Sequence, residues 1–178
     1  GHRAPASSVA IAPDGEILAS GGEDGTIHVW QKDGTLLKTL PIQNVPIQDL
    51  AINSTGDRLA EARADGTIGL WQQWRSVTPT RIELKGHIGS VNGVAFQPEG
   101  NLLASVGEDH TLRLWRPDGT PLKTFEAHRD GAFGVAFSPD GQLVATTGWD
   151  HLTKLWNVTD IDAAAPITLR GHRSWVLD

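Results

Sequence analysis

The chain has 178 residues, 39% of them hydrophobic, which suits one globular domain, and no apolar run approaches the roughly 20 residues that a membrane helix needs. The net charge is −6 with Lys and Arg scattered, which argues against a nucleic-acid-binding protein because such proteins usually carry a basic stripe. Cysteine is absent, so the chain has neither a disulfide framework nor a thiolate zinc site. Methionine is absent too and no secretory signal is visible, so we expect a processed or excised piece of a longer protein.

A nine-residue motif that ends in Trp occurs four times along the chain. The copies are GEDGTIHVW at 22–30, RADGTIGLW at 63–71, GEDHTLRLW at 107–115 and GWDHLTKLW at 148–156. An Asp lies six residues before each Trp, and in three copies a His lies 28 residues before it. Gln43 stands at that His position in the second copy. A constant block with connectors of variable length indicates a repeated supersecondary unit joined by surface loops.

Each repeat predicts four short strands separated by Pro, Asp and Gly turns. In the first repeat the strands are SVAIA, EILAS, TIHVW and TLLKTL, with turns at APDG, GGEDG and QKDG. In the third repeat they are VNGVAF, LLAS, TLRLW and PLKTF. No segment has a sustained helical period, and we expect DIDAAA at 160–165 to be a loop.

The repeats predict an all-β fold of the β-propeller type. A single four-stranded sheet cannot bury both of its faces, so sheets must stack side by side as antiparallel blades. The predicted repeats span approximately 1–41, 42–85, 86–126 and 127–170, and a further repeat begins at 171–178. The whole chain is therefore expected to be one partial propeller, with four blades and the start of a fifth.

The Gly-His pairs and the Trp-containing strands make the chain resemble the WD-repeat (Trp-Asp repeat) family. The resemblance covers nearly the whole chain, and its plain repeats look like those of bacterial, especially cyanobacterial, members. It implies a non-catalytic cytoplasmic scaffold that binds a protein or peptide, as the sensing part of a larger regulatory protein. It implies no cofactor, no nucleic acid and no membrane.

The resemblance also implies a hydrogen-bonded network of a His, a Ser or Thr, an Asp and the Trp within each blade. Carried over by position, the networks are His2, Ser20, Asp24 and Trp30 in the first blade, His87, Ser105, Asp109 and Trp115 in the third, and His128, Thr146, Asp150 and Trp156 in the fourth. In the second blade Gln43 and Glu61 replace the His and the hydroxyl, beside Asp65 and Trp71. That blade is expected to lack the network and to be locally less stable.

A set of Ser, His and Asp also suggests a hydrolase, but three arguments favour a structural role. The set recurs in three blades whereas catalysis needs one site, and no Gly-x-Ser-x-Gly elbow surrounds these serines. A buried indole N–H also needs an acceptor. We therefore expect no catalytic residue, and the scattered acids and histidines predict no metal site.

Candidate partner-binding residues are those that depart from turn chemistry on the face that carries the His loops. They are Trp149, Arg129, His110, His151, Arg173 and Trp175, although the two His also suit turns and Trp175 also suits packing against a neighbouring blade. The alternative function is an enzyme or a small-ligand binder that uses the central channel. Only Asp49 and Asn92 offer weak support for it, because the first strands are mostly apolar or small.

Four repeats are too few for the seven or eight blades that the family usually has. Either more chain belongs to the ring or a second copy of the chain completes it. The distances from each Trp to the next His position alternate as 13, 16, 13 and 16 residues, which favours an even number of blades and hence an eight-bladed ring made of two copies.

Overall fold

The computed structural model describes residues 1–40, 44–162 and 165–177, and every element found in them is a β-strand. Sixteen strands form four antiparallel sheets of four strands each, which confirms the all-β prediction. Within each sheet the strands follow one another in chain order, so every sheet is a simple meander. Gln43 and the predicted boundary between residues 41 and 42 lie outside the described residues, as does part of 160–165.

Each sheet lies within one predicted repeat. The first contains β1 (Ala6–Ile11), β2 (Ile17–Gly22), β3 (Ile27–Gln31) and β4 (Leu36–Leu40). The second contains β5 (Ile47–Ile52), β6 (Arg58–Arg63), β7 (Thr67–Gln72) and β8 (Thr80–Lys85). The third contains β9 (Val91–Phe96), β10 (Leu103–Gly107), β11 (Thr111–Trp115) and β12 (Pro121–Glu126). The fourth contains β13 (Ala132–Phe137), β14 (Leu143–Gly148), β15 (Thr153–Asn157) and β16 (Ile167–Leu169).

The turn sequences explain where the strands stop. In the β11–β12 turn, Asp118 Oδ1 accepts a hydrogen bond from the Thr120 N–H at 2.9 Å, and Gly119 has a φ of 87°. The Asp side chain substitutes for a backbone partner while Gly supplies the left-handed conformation. The second strands run two residues further into the next turn than the sequence predicted, since β2 ends at Gly22 and β10 at Gly107.

The sheets pack side by side with their first strands β1, β5, β9 and β13 adjacent, so these strands line the inner edge of the arc. Successive sheets bury a layer of apolar side chains between them. Ala60, Ala62, Ile68 and Leu70 on the second sheet, for example, pack in the layer that also contains Val94 of the third. The small alanine side chains in this layer let neighbouring sheets approach closely.

Two features of the β7–β8 connector have no counterpart in the sequence expectations. Trp74 lies in the β7–β8 connector, yet it is fully buried and donates its indole N–H to the Gly56 carbonyl at 3.1 Å. Arg75 beside it lies over the Trp74 ring at 5.3 Å and pairs with Asp14 of the first sheet at 2.6 Å. This connector therefore fastens the second blade to the first.

Within the described part of the chain, no helix is long and apolar enough to cross a membrane. The same residues contain no group of three or more His, Cys, Asp and Glu side chains arranged to hold a metal ion.

Candidate functional site

The third blade contains a complete hydrogen-bonded network that begins at its Trp. Trp115 Nε1 donates to Ser105 Oγ at 2.9 Å, and that hydroxyl lies 2.8 Å from His87 Nε2. His87 Nδ1 lies 2.8 Å from Asp109 Oδ1. A neutral imidazole with its proton on Nδ1 satisfies all four groups, because each hydrogen bond then has one donor and one acceptor.

The first and fourth blades repeat this geometry. Trp30 Nε1 donates to Ser20 Oγ at 2.8 Å. That hydroxyl lies 2.8 Å from His2 Nε2, and His2 Nδ1 lies 3.2 Å from Asp24 Oδ1. In the fourth blade Thr146 takes the place of Ser, and the distances along Trp156, Thr146, His128 and Asp150 are 3.0, 2.9 and 2.8 Å. The second oxygen of each Asp accepts a hydrogen bond from the backbone N–H of the residue after the His. The network therefore ties the loop before the first strand of a blade to the turn between its second and third strands.

These hydrogen bonds determine the charge states of the networks. Burial raises the pKa of Asp109, but hydrogen bonds from His87, Thr111 and the Ile88 N–H outweigh it and hold the pKa below its usual 3.8. The pKa values of Asp24 and Asp150 are lowered by hydrogen bonds of the same kind, against burial. Burial lowers the pKa of His128 below 6.5 although Asp150 opposes the shift. The carboxylates are therefore charged and His128 is neutral at pH 7.

In the second blade a different set of side chains surrounds the Trp. Trp71 Nε1 donates to Glu61 Oε2 at 3.0 Å, so a carboxylate replaces the hydroxyl as acceptor. Glu61 and Arg63 are both fully buried and pair at 2.5 Å, and Arg81 from β8 binds the same carboxylate at 2.9 Å. Asp65 is exposed and, among the described residues, accepts from Thr67 alone, through its N–H at 3.0 Å and its hydroxyl at 2.6 Å. The blade lacks the His network but contains an ion-pair cluster that the sequence analysis missed.

The geometry of the networks suits a structural role better than a catalytic one. Ser105 is fully buried, and its hydroxyl is bonded to both Trp115 and His87. A nucleophilic hydroxyl must reach a substrate, and this one is enclosed by its own partners. Thr146 is equally buried in the fourth blade.

The structure brings two of the predicted partner-binding residues together. Trp149 stacks on Trp175 with ring centroids 5.1 Å apart, and on its other side it stacks on Phe133 at 4.6 Å. Trp149 is 38% exposed and Trp175 60% exposed. The sequence analysis missed Phe133, whose position is occupied by Ser7, Gln48 and Asn92 in the other blades.

The other predicted residues have different surroundings. His110 and His151 are exposed and have φ angles of 67° and 65°, at turn positions where the first and second blades have Gly25 and Gly66. Arg129 is exposed and lines a separate groove with Lys154. Arg173 is exposed in the segment that precedes Trp175.

Polar side chains on the first strands join neighbouring blades. The Ser7 hydroxyl donates to the Ile47 carbonyl at 2.5 Å, Asp49 Oδ2 accepts the Val94 N–H at 3.0 Å, and Asn92 Nδ2 donates to the Ala132 carbonyl at 3.0 Å. Asp49 Oδ1 also accepts from the Ser8 hydroxyl at 2.9 Å. A cavity of about 410 Å³ lies against these residues, so the channel is polar, but its polar groups already hold the blades together.

Meander sheets joined along their first strands define the class of β-propeller repeat proteins. The family model described as WD domain, G-beta repeat matches residues 1–31, 78–116 and 119–157, which is more than half of the chain. The chain therefore belongs to the WD-repeat family. The residues that the model does not match include β5, β6 and β7 of the second blade.

Known proteins resemble both the sequence and the fold. The chain is 37% identical over 140 residues to Nuclear distribution protein PAC1 of Coccidioides posadasii, which covers 72% of this chain and 30% of PAC1. It is 26% identical to Transducin beta-like protein 2 of Mus musculus, over 66% of this chain and 28% of that protein. The structure of U3-55K superposes with a TM-score of 0.89 at 21% identity, over 99% of this chain and 55% of that one.

The chain thus spans less than a third of the length of these two curated relatives. Both are eukaryotic, so the comparisons do not support the bacterial or cyanobacterial type that the sequence analysis expected. Regularity between repeats reflects the structural demands of the blade, which do not depend on the source, so it is weak evidence for a bacterial type.

Proposed function

We propose that the chain is a non-catalytic scaffold that binds a protein or peptide partner, as the recognition part of a larger regulatory protein. The observation that carries the proposal is the exposed aromatic stack of Phe133, Trp149 and Trp175. Two relatives of the chain also support a role in assemblies, since one is named as a subunit of chromatin assembly factor 1 and another as a nucleoporin.

The stack has the properties of an interface anchor. Large aromatic side chains bury much apolar area at a low cost in conformational entropy, and they are enriched among residues that dominate binding. At the position of Trp149 the first and third blades have Glu23 and Glu108, which satisfy the turn equally well. An exposed Trp adds nothing to the stability of the turn, so its contribution is to the binding of a partner that packs on its ring.

The proposal also includes the absence of catalysis, the absence of nucleic-acid binding and a cytoplasmic location. The absence of catalysis agrees with the enclosed hydroxyls of Ser105 and Thr146. The absence of nucleic-acid binding agrees with the net charge of −6. A cytoplasmic location follows from the family resemblance alone.

Peptides selected from a random phage-displayed library on the immobilised chain test the proposal. Trp149→Ala and Trp175→Ala should each weaken the selected peptides at least tenfold, because either change removes half of a stacked pair. Val77→Ala is the matched control, since Val77 is 99% exposed in the β7–β8 connector at the opposite end of the strands. Peptides that bind all four proteins equally would place the interface elsewhere, and the absence of any selected peptide would contradict the proposal.

The cavity against the first strands keeps a small-ligand binder as a second candidate. It is lined by Ser7, Gln48, Asp49 and Asn92 beside Phe133. A screen of sugars and hydrolysable esters with the chain discriminates between the two, since robust turnover or sugar binding that Asn92→Ala abolishes would favour the channel.

We also propose that the chain associates with a second copy of itself to complete a ring. Val9 on β1 is 63% exposed, whereas the equivalent residues Leu50 and Val94 of the next two blades are 5% and 4% exposed. The outer face of the first blade is thus built like the faces that other blades bury. An exposed apolar sheet face favours association.

A further inference from the structure

A groove on the fourth blade concentrates positive charge. It has a volume of about 210 Å³ and lies beside the His128–Asp150 network. Its lining comes from the loop before β13, from β15 and its preceding turn, and from β16 and the residue that follows it. The lining residues are Arg129, Asp150, Leu152, Lys154, Thr168 and Arg170.

The one acid in this lining is already occupied by other partners. Asp150 Oδ1 binds His128 at 2.8 Å and the Leu152 N–H at 3.2 Å, and Oδ2 accepts the Arg129 backbone N–H at 3.1 Å. These hydrogen bonds use the carboxylate without engaging the guanidinium group of Arg129. With His128 neutral at pH 7, three cations face one carboxylate, which leaves a formal charge of about +2 in the groove.

The three cations make no ion pair with any acid in the part of the chain that the structure describes. Lys154 Nζ donates to the Ala127 carbonyl, which uses one of the three N–H groups of an ammonium. Arg129 and Arg170 are both exposed. The groove therefore brings together three positively charged side chains with unused N–H donors. Their electrostatic repulsion costs free energy unless an anion binds between them.

The other blades do not repeat this arrangement. Arg113 occupies the Lys154 position in the third blade and pairs with Asp109 at 3.5 Å. In the first blade the equivalent groove is lined by Arg3, Asp24 and Thr39, with His28 in place of the Lys. Its His28 has a pKa lowered by burial, and Arg3 is the one Lys or Arg side chain in that lining. The positive groove is thus a particular feature of the fourth blade.

We propose that this groove binds a phosphate dianion carried on a phosphorylated side chain of a protein partner. Arg129 and Arg170 supply planar guanidinium groups that bind phosphate oxygens in pairs, while Lys154 contributes a point charge and the Thr168 hydroxyl a further donor. A groove of this volume accommodates a phosphate group and its linking carbon.

The claim that the groove binds phosphate does not depend on the proposed function. The claim that a protein partner carries this phosphate rests on the proposed function. The groove lies on the blade that also carries Trp149, so a partner that reaches both would combine an aromatic contact with a charged one. Asp150 links the two places, because it lies next to Trp149 in the chain and lines the groove.

Titration of the full chain, followed by NMR or calorimetry, tests the proposal with three probes. They are N-acetyl-phosphothreonine N-methylamide, its unphosphorylated form and inorganic phosphate. The phosphorylated probe should bind, and Arg129→Gln and Arg170→Gln should each weaken it at least tenfold. Arg3→Gln is the matched control, since it changes the equivalent groove of the first blade, and it should leave binding unchanged.

The outcomes separate the alternatives. Binding that is unaffected by Arg129→Gln and Arg170→Gln, or no binding of any phosphorylated probe at millimolar concentration, overturns the site. Inorganic phosphate that binds as tightly as the phosphorylated probe overturns the protein source. Because both Arg side chains are exposed, the variants should keep the melting temperature of the unaltered chain. The Trp149→Ala peptide experiment is a separate measurement. Its failure would remove the argument for a protein source but leave the phosphate site in place, and failure of the phosphate site would leave the aromatic surface in place.

Discussion

At the scale of the residue, the indole N–H of each repeat Trp is always satisfied, but by different acceptors. Ser20, Ser105 and Thr146 accept through a hydroxyl, whereas Glu61 accepts through a carboxylate. The requirement is therefore an acceptor at this place and not a particular residue. The Asp residues differ more, since Asp109 is joined to a buried His, while Thr67 is the one partner of Asp65 in the part of the chain that the structure describes.

Asp109→Ala tests how much the network contributes to the free energy of unfolding. The change leaves the buried His87 and the Ile88 N–H without their acceptor, so we expect a loss of about 1–3 kcal/mol. Asp65→Ala is the matched control at the same position of the second blade, and its loss should be clearly smaller. Denaturant unfolding of both variants measures the two values; equal losses would mean that the His contributes nothing.

At the scale of the blade, acid should act on the fourth blade in two stages. The pKa of His128 is below its usual 6.5, so the unfolded chain takes up this proton first and stability falls as the pH drops below 6.5. The pKa of Asp150 is below its usual 3.8, so its contribution is complete above about pH 4 and is lost as the pH falls further.

The melting temperature should therefore be highest near neutral pH, begin to fall as the pH drops below 6.5, and fall again below about pH 4. His128→Gln should make the first decline shallower, leaving the part due to His28, whose pKa burial also lowers, although the change lowers stability at every pH. His151→Gln removes an exposed His from the same blade and should leave the first decline unchanged. A first decline that is equally steep in His128→Gln would assign it to another group.

At the scale of the whole molecule, the arc has two unequal kinds of blade face. The faces between blades are fully buried, while the outer face of the first blade exposes Val9 and Ile11. The fourth blade likewise exposes Ile167 and Leu169 on its last strand. These end faces determine whether the chain stays single.

Light scattering of the purified chain measures this directly. We expect twice the single-chain mass of 19.1 kDa, because two arcs of four blades close an eight-bladed ring. Val9→Asp should return the mass to that of one chain by placing a charge in the joint, whereas Val77→Asp should not. A single-chain mass for the unaltered protein would contradict closure by two copies.

The repeated block made the strands predictable, because turn residues recur at constant distances from each Trp. Interactions between residues far apart in the sequence were harder to predict. Glu61 looks like a lost hydroxyl until Arg81, 20 residues later, is placed beside it on β8. Likewise Phe133 becomes part of the aromatic stack, the proposed partner-binding surface, because the turn before β15 folds back over β13, where the Trp149 N–H bonds the Gly131 carbonyl at 3.0 Å.

The stacked indoles of Trp149 and Trp175 also give the protein an optical signature. Two chromophores with centroids 5.1 Å apart couple their electronic transitions, which produces a paired band in the far-ultraviolet circular dichroism. The chain has seven Trp and no Tyr, so the difference between the spectra of the unaltered chain and Trp175→Ala isolates this band from the other five indoles. A ligand that separates the two rings changes the spectrum without any label, and the protein thereby reports occupancy of its own surface.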